Sequence, residues 1–414
     1  MKMAHVDKDY ANSAVPKEER RGFLTMFMIM LGFTFFSASM WTGQVLSNGL
    51  DFGGFIGALL LGGLILGGYT GILGYIGAES GLSLDLLARR SFGEKGSYLP
   101  SALIAFTQCG WFGVGLAMFA IPVANAWFGD DQTIMYALVF LAGICMTASA
   151  YYGIKSLTII SYIAVSCVAI LGTAAMIMAA QQGNGSFIEN FAKSTSDLGI
   201  IGGAGLVIGS FVSGGTATPN FTRYASSKWS GFWTTVIAFF IGNSLMFFFG
   251  AVANIYVGGN DIFDVMKNLG MFWTAILVLG LNIWTTNDNA IYTTGLGLAN
   301  ITGFSKRTMV LAAGVLGTVT AVWLYWNFCG YLNILNATLP PIGIILALGY
   351  FTNKEAYLKA DYKPVCINYG AVLGVIIGAV IGNLTSNGIV SGIPSINAMI
   401  TATIIYMLGN KFQK

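Results

Sequence analysis

The chain has 414 residues, of which 55% are hydrophobic and only 9% charged, with a formal net charge of +3. Soluble domains carry about 25% charged residues, so a water-soluble fold of this length would lack polar surface, whereas lipid-facing surface needs none. The small, unclustered positive charge argues against nucleic acid as a partner.

Residues 1–21 form a polar tail containing the single histidine, His5. That removes most zinc-site and histidine-based catalytic chemistry. Cys109, Cys145, Cys167, Cys329 and Cys366 stand singly without metal-ligand spacing, and their odd number excludes a complete disulfide framework. The apolar run from Gly22 to Leu46 is too long for a signal-peptide core and reads as a first spanning helix. Twelve spans follow in chain order: 22–48, 53–79, 97–128, 133–152, 157–182, 198–222, 230–257, 270–298, 307–326, 329–352, 364–385 and 390–410. The long third span predicts a strong tilt, and 82–93 and 186–196 read as short helices outside the membrane. With both termini in the cytoplasm, eighteen of the twenty Lys and Arg fall inside and two, Lys193 and Lys267, outside. That asymmetry supports the orientation and the even number of spans.

Two spans are poor continuous helices. Span 1 carries Gly32, Thr34, Ser37, Ser39, Thr42 and Gly43; span 6 carries Gly209, Ser210, Ser213, Gly214, Gly215, Thr216, Thr218 and Pro219. Proline and paired glycines break helices, and unwound backbone survives at membrane depth only where it lines a cavity. The breaks are five spans apart. They predict two five-span halves of opposite topology, about 22–182 and 198–352, within a core of 22–352, followed by two further helices over 364–410 and a short tail, 411–414. Each alone reads more readily as a kink with small packing residues, but paired interruptions at matching positions point to a transporter site.

Span 3 offers Gln108 and Trp111, neighbours on one helix face, and span 6 offers Phe211 inside the broken segment. Aromatic rings here either pack in the core or sandwich a flat heterocycle, and a carboxamide such as Gln108 or Asn289 can pair with a nucleobase edge. In span 8, Asn282, Thr285, Thr286 and Asn289 fall at i, i+3, i+4 and i+7 and share a face. Their oxygens, with carbonyls freed at the span 1 break, suit a sodium ion, or they hydrogen-bond between helices. Asp288 is the one acidic residue deep in a span. Burying it costs at least about 2.5 kcal/mol on insertion scales, which makes it a functional candidate. Glycine ladders at Gly63, Gly67 and Gly71 and at Gly370, Gly374, Gly378 and Gly382 predict close helix packing. The second also suits a dimer contact; the oligomeric state is left open.

The stretches 35–43, 108–115 and 281–290, with Ala88-Arg89-Arg90-Ser91-Phe92-Gly93 and Gly242-Asn243-Ser244-Leu245-Met246-Phe247, closely resemble bacterial cytosine permeases of the nucleobase–cation symporter family. The resemblance implies an all-α membrane protein of the leucine-transporter fold in the bacterial inner membrane. It implies sodium-coupled cytosine import and no prosthetic group. Trp111 and Phe211 would sandwich the base, with polar contacts from Gln108, Ser213, Asp288 and Asn289. Sodium would take backbone oxygens at Gly32 and Phe35, the Asn282 carbonyl and the Thr285 and Thr286 hydroxyls. Proton coupling, or a related purine, allantoin or hydantoin, is the alternative. An intramembrane enzyme would need a catalytic set that one carboxylate cannot supply, and a channel would need a continuous polar pore.

Overall fold

The computed structural model describes residues 9–129, 131–183, 187–191, 198–327, 337–359 and 362–412, with only the backbone of Phe412. His5, Lys2, Lys8, Lys193, Cys329, Lys414 and the start of the tenth expected span lie outside the described residues. Those described are helical, joined by short turns, with one isolated β-bridge between Arg21 and Ala225. The long helices are α1 (Phe23–Thr34), α2 (Ser37–Gly49), α3 (Phe52–Ser80), α5 (Tyr98–Phe128), α6 (Gln132–Tyr152) and α7 (Ile154–Gln182). They continue with α9 (Ile200–Thr216), α11 (Lys228–Ile237), α12 (Asn243–Val257), α14 (Phe272–Thr302), α15 (Lys306–Trp326), α16 (Pro340–Thr352), α18 (Tyr369–Ser386) and α19 (Pro394–Phe412). The short helices are α4 (Leu84–Phe92), α8 (Phe187–Phe191), α10 (Pro219–Thr222), α13 (Ile262–Asn268) and α17 (Lys354–Leu358).

Among the described residues, seven helical segments are long and apolar enough to cross a membrane, or eight if the bent pair α1–α2 counts as one. The apolar helices α9 and α16 are shorter. α14 falls outside that set because the polar run 282–289 occupies its centre. It lies deep in the molecule, and 282–297 is buried apart from Trp284.

Both expected breaks are present, and both are narrower than the sequence suggests. Between α1 and α2 only Phe35 and Phe36 leave the helix, in extended conformation, and the chain bends by 58°. Between α9 and α10 only Ala217 and Thr218 intervene. Pro219 has no N–H to continue the ladder, while the Ala217 and Thr218 amides close tight turns onto Gly214 and Gly215. The glycines of α9 therefore stay helical. A Cβ on Gly214 would lie 2.6 Å from the Phe211 ring and 3.0 Å from that of Phe33. Here the small residue makes room for rings instead of unwinding the backbone.

The glycine ladders face partner helices. Gly63 and Gly71 meet Phe240, Val236 and Phe232 on the segment beginning with α11. Gly374 and Gly378 approach the Ala402 and Ala398 carbonyls of α19. The α18 stripe is thus occupied by α19.

Residues 9–21 do not project as a free tail. Val15 N–H donates to Gly81 O, Arg20 to Ala78 O, and Arg21 N–H to Tyr224 O. The fully buried Arg223 donates to the carbonyls of Asp9 (2.7 Å) and Tyr10 (2.8 Å) and to the Tyr292 hydroxyl (2.9 Å). Lys306 pairs with the Asp9 carboxylate at 2.5 Å. A charge this deep is tolerable only when paired and hydrogen-bonded, and these bonds strap the segment across the ends of α3, α10 and α15, with Arg223 also held by Tyr292 inside α14.

Candidate functional site

The α1–α2 break, α5, α9 and α14 converge on one cavity. Its lining is Phe33, Phe36, Gln108, Trp111, Ser210, Phe211, Ser213, Gly214 and Thr286. Of the residues expected to contact a substrate, four are there: Gln108, Trp111, Phe211 and Ser213. Trp111 Nε1 donates to Ser213 Oγ at 3.0 Å, joining α5 to α9. Phe36 meets the Trp111 ring edge-on at 5.4 Å between centroids, and Phe33 meets Phe211 edge-on at 5.2 Å. Gln108 is buried, and its Nε2 has no hydrogen-bond partner among the described residues. An unmade buried hydrogen bond costs about 1–3 kcal/mol, so this carboxamide is poised for a polar ligand. The free volume is about 10 Å³, close to one water molecule; a nucleobase enters only when the rings part.

Beside the cavity lies a knot of oxygen atoms. Thr286 Oγ1 is 3.1 Å from Phe35 O, 3.3 Å from Phe33 O and 3.5 Å from Asn282 O. Thr285 Oγ1 is 3.0 Å from Asn282 O. Each hydroxyl has a single hydrogen, so the cluster holds more acceptors than protons to fill them. A Cβ on Gly32 would lie 2.8 Å from Ser161 Oγ and 3.5 Å from Thr285 Cβ, so α1 and α7 close around the same point. All five expected ion-site residues, Gly32, Phe35, Asn282, Thr285 and Thr286, meet here. The oxygens gathered at this point are the Thr285 and Thr286 hydroxyls and the carbonyls of Phe33, Phe35 and Asn282.

Asp288 and Asn289 do not line the cavity. Asp288 Oδ1 lies 2.5 Å from Ser149 Oγ on α6, and Trp284 Nε1 donates to the same hydroxyl at 3.0 Å. Asn289 shares the threonine face, but its amide donates to the Thr285 carbonyl at 2.8 Å. The sequence reading missed Phe33, Phe36, Ser210 and Gly214 as lining. The signal was present, since all four lie in or beside the two segments flagged as broken. Ser161 had no such signal, because it sits in an ordinary apolar helix.

Residues 14–409 match the family of permeases for cytosine/purines, uracil, thiamine and allantoin. The chain is 44% identical over 405 residues to the cytosine permeases of Escherichia coli K12 and O157:H7, covering 98% of this chain and 94% of each relative. Among solved structures it resembles Mhp1, a nucleobase-cation-symport-1 family transporter, in a closed conformation with bromovinylhydantoin bound. The TM-score is 0.78 at 16% identity, over 97% of this chain and 95% of that one. It also resembles a Na+-coupled sialic acid symporter, with a TM-score of 0.68 at 14% identity, over 98% and 93% of the two chains. With the family matched across almost its whole length, the chain belongs to the cytosine/purine, uracil, thiamine and allantoin permeases: it is a membrane transporter and not an enzyme.

Proposed function

We propose that the protein imports cytosine across the bacterial inner membrane by sodium symport with alternating access. The observation that carries this reading is the buried Gln108 carboxamide, with an unpartnered Nε2, in a cavity walled by Phe33, Phe36, Trp111 and Phe211. Flat rings supply stacking and the carboxamide supplies an edge to pair with, which is what a nucleobase requires. The name of the 44%-identical relatives selects cytosine among the nucleobases. A related heterocycle is the second reading, favoured by the breadth of the family and by the hydantoin carried by the Mhp1 structure.

In this proposal the base stacks between Trp111 and Phe211, with Gln108 and Ser213 on its edge. Sodium takes the Thr285 and Thr286 hydroxyls and the carbonyls of Asn282 and of the α1–α2 break at Gly32, Phe33 and Phe35. Discontinuous helices with exposed carbonyls are the usual means of holding such an ion in transporters. Asp288 and Asn289 act from outside the cavity, fixing α14 against α6 and against its own previous turn. The twelve spans, the 5+5 inverted repeat and the cytoplasmic termini belong to the same proposal. The strapped segment 9–21 then closes the cytoplasmic end. Uptake of radiolabelled cytosine into proteoliposomes tests the reading, with unlabelled cytosine, uracil, a purine, allantoin and a hydantoin as competitors. Cytosine competing best supports it. A heterocycle that blocks this uptake at lower concentration than unlabelled cytosine selects the second reading.

A further inference from the structure

A second, larger cavity of about 660 Å³ shares no residue with the nucleobase site. It opens where the last turns of α16 and α19 meet α4 and the segment leading into α18. Among the described residues, its lining contains two cations, Arg90 and Lys411, and no acidic residue. Neither cation is in an ion pair among the described residues. Arg90 is half-buried and held in place, its Nε and Nη2 donating to the carbonyls of Ala356 (3.3 Å) and Lys359 (3.0 Å). Those acceptors fix the guanidinium without neutralising it. A partly desolvated charge in this state favours an anion.

The rest of the cavity says which anion. Its rim includes Val365 and Met407, 59% and 55% exposed, although both are apolar. Further exposed apolar residues follow on α18 and α19, among them Leu373, Ile376 and Ile404. Tyr357, Tyr362 and Tyr406 line the inner wall, the residue type that gathers at the boundary between headgroups and acyl chains. A pocket for a soluble anion has no use for an apolar rim running onto a lipid-facing surface. Basic pockets between helices at the membrane boundary suit acidic lipid headgroups.

We propose that this cavity binds the phosphodiester headgroup of an anionic glycerophospholipid through Arg90 and Lys411, with the acyl chains lying along α18 and α19. The test uses the full chain purified in detergent and titrated with phosphatidylglycerol, with phosphatidylcholine of the same chains and with inorganic phosphate. The thermal unfolding midpoint is the readout. Phosphatidylglycerol should raise the midpoint and the other two should not. Each cation near a membrane surface is worth about a fivefold change in affinity. Lys411→Gln should therefore weaken the phosphatidylglycerol effect about fivefold, and the double variant with Arg90→Gln about 25-fold. Arg90→Lys should retain most of it. Unchanged cytosine affinity in each variant confirms the fold. Should Arg90→Gln not fold, Lys411→Gln decides, since that side chain is exposed. An equal response to phosphatidylcholine, an equal response to phosphate alone, or an undiminished response in Lys411→Gln overturns the proposal.

Discussion

Trp111 and Gln108 stand three residues apart on α5, so one helical turn presents a stacking face and a hydrogen-bonding edge to the same cavity. Trp111→Ala should weaken cytosine binding by about 1–3 kcal/mol, or roughly 5- to 150-fold, with Trp111→Phe retaining more; equilibrium binding to purified protein measures both. Asp288 belongs to a different contact. It is two residues from Thr286, about 200° around a 3.6-residue helix, and its carboxyl meets Ser149. Asparagine can make the same hydrogen bond and is cheaper to bury, so Asp288→Asn should leave cytosine affinity within about twofold, whereas Asp288→Leu should lower stability by about 1–3 kcal/mol because the buried Ser149 hydroxyl loses its carboxyl acceptor. A large loss of affinity in the asparagine variant would return Asp288 to the substrate. The sequence made Asp288 conspicuous through its burial cost. The angular count that separates it from Thr286 was equally legible, and cost alone says nothing about direction.

At the level of elements, the breaks were legible because Gly, Ser, Thr and Pro concentrate where the helices stop. Their width was not. Gly214 is small because Phe33 and Phe211 press against it, a tertiary fact that no local pattern carries. The same holds for α2 against α12, where the backbones of Gly43 and Phe247, and of Gly250 and Met40, touch without room for a side chain. Gly250→Ala should therefore cost about 1–3 kcal/mol, as overpacking does, seen as a lowered thermal midpoint in detergent. An unchanged midpoint would mean that the two helices can slide apart freely. The glycine stripe on α18 was read correctly as a packing face, and α19 is its partner.

Across the whole molecule, the Lys and Arg asymmetry set the proposed orientation before any contact was known. The segment 9–21 was read only as a polar tail, because composition cannot reveal that Asp9 meets Lys306 or that Arg223 gathers two backbone carbonyls. A single cysteine replacing Arg90 in a chain without other cysteines should react with membrane-impermeant reagent only from the cytoplasmic side; labelling from outside alone would dismantle the twelve-span map. The central claim is that the oxygen cluster at Thr285, Thr286 and the α1–α2 break holds sodium and couples it to the adjacent base. Linkage requires sodium and cytosine to raise each other's affinity by the same factor. The most direct measurement is cytosine affinity against sodium concentration, at constant ionic strength with potassium as replacement, in wild type and in Thr285→Ala with Thr286→Ala. The account predicts affinity rising with sodium in the wild type and no sodium dependence in a folded double variant; a wild type that binds cytosine equally well in sodium-free potassium buffer would contradict it.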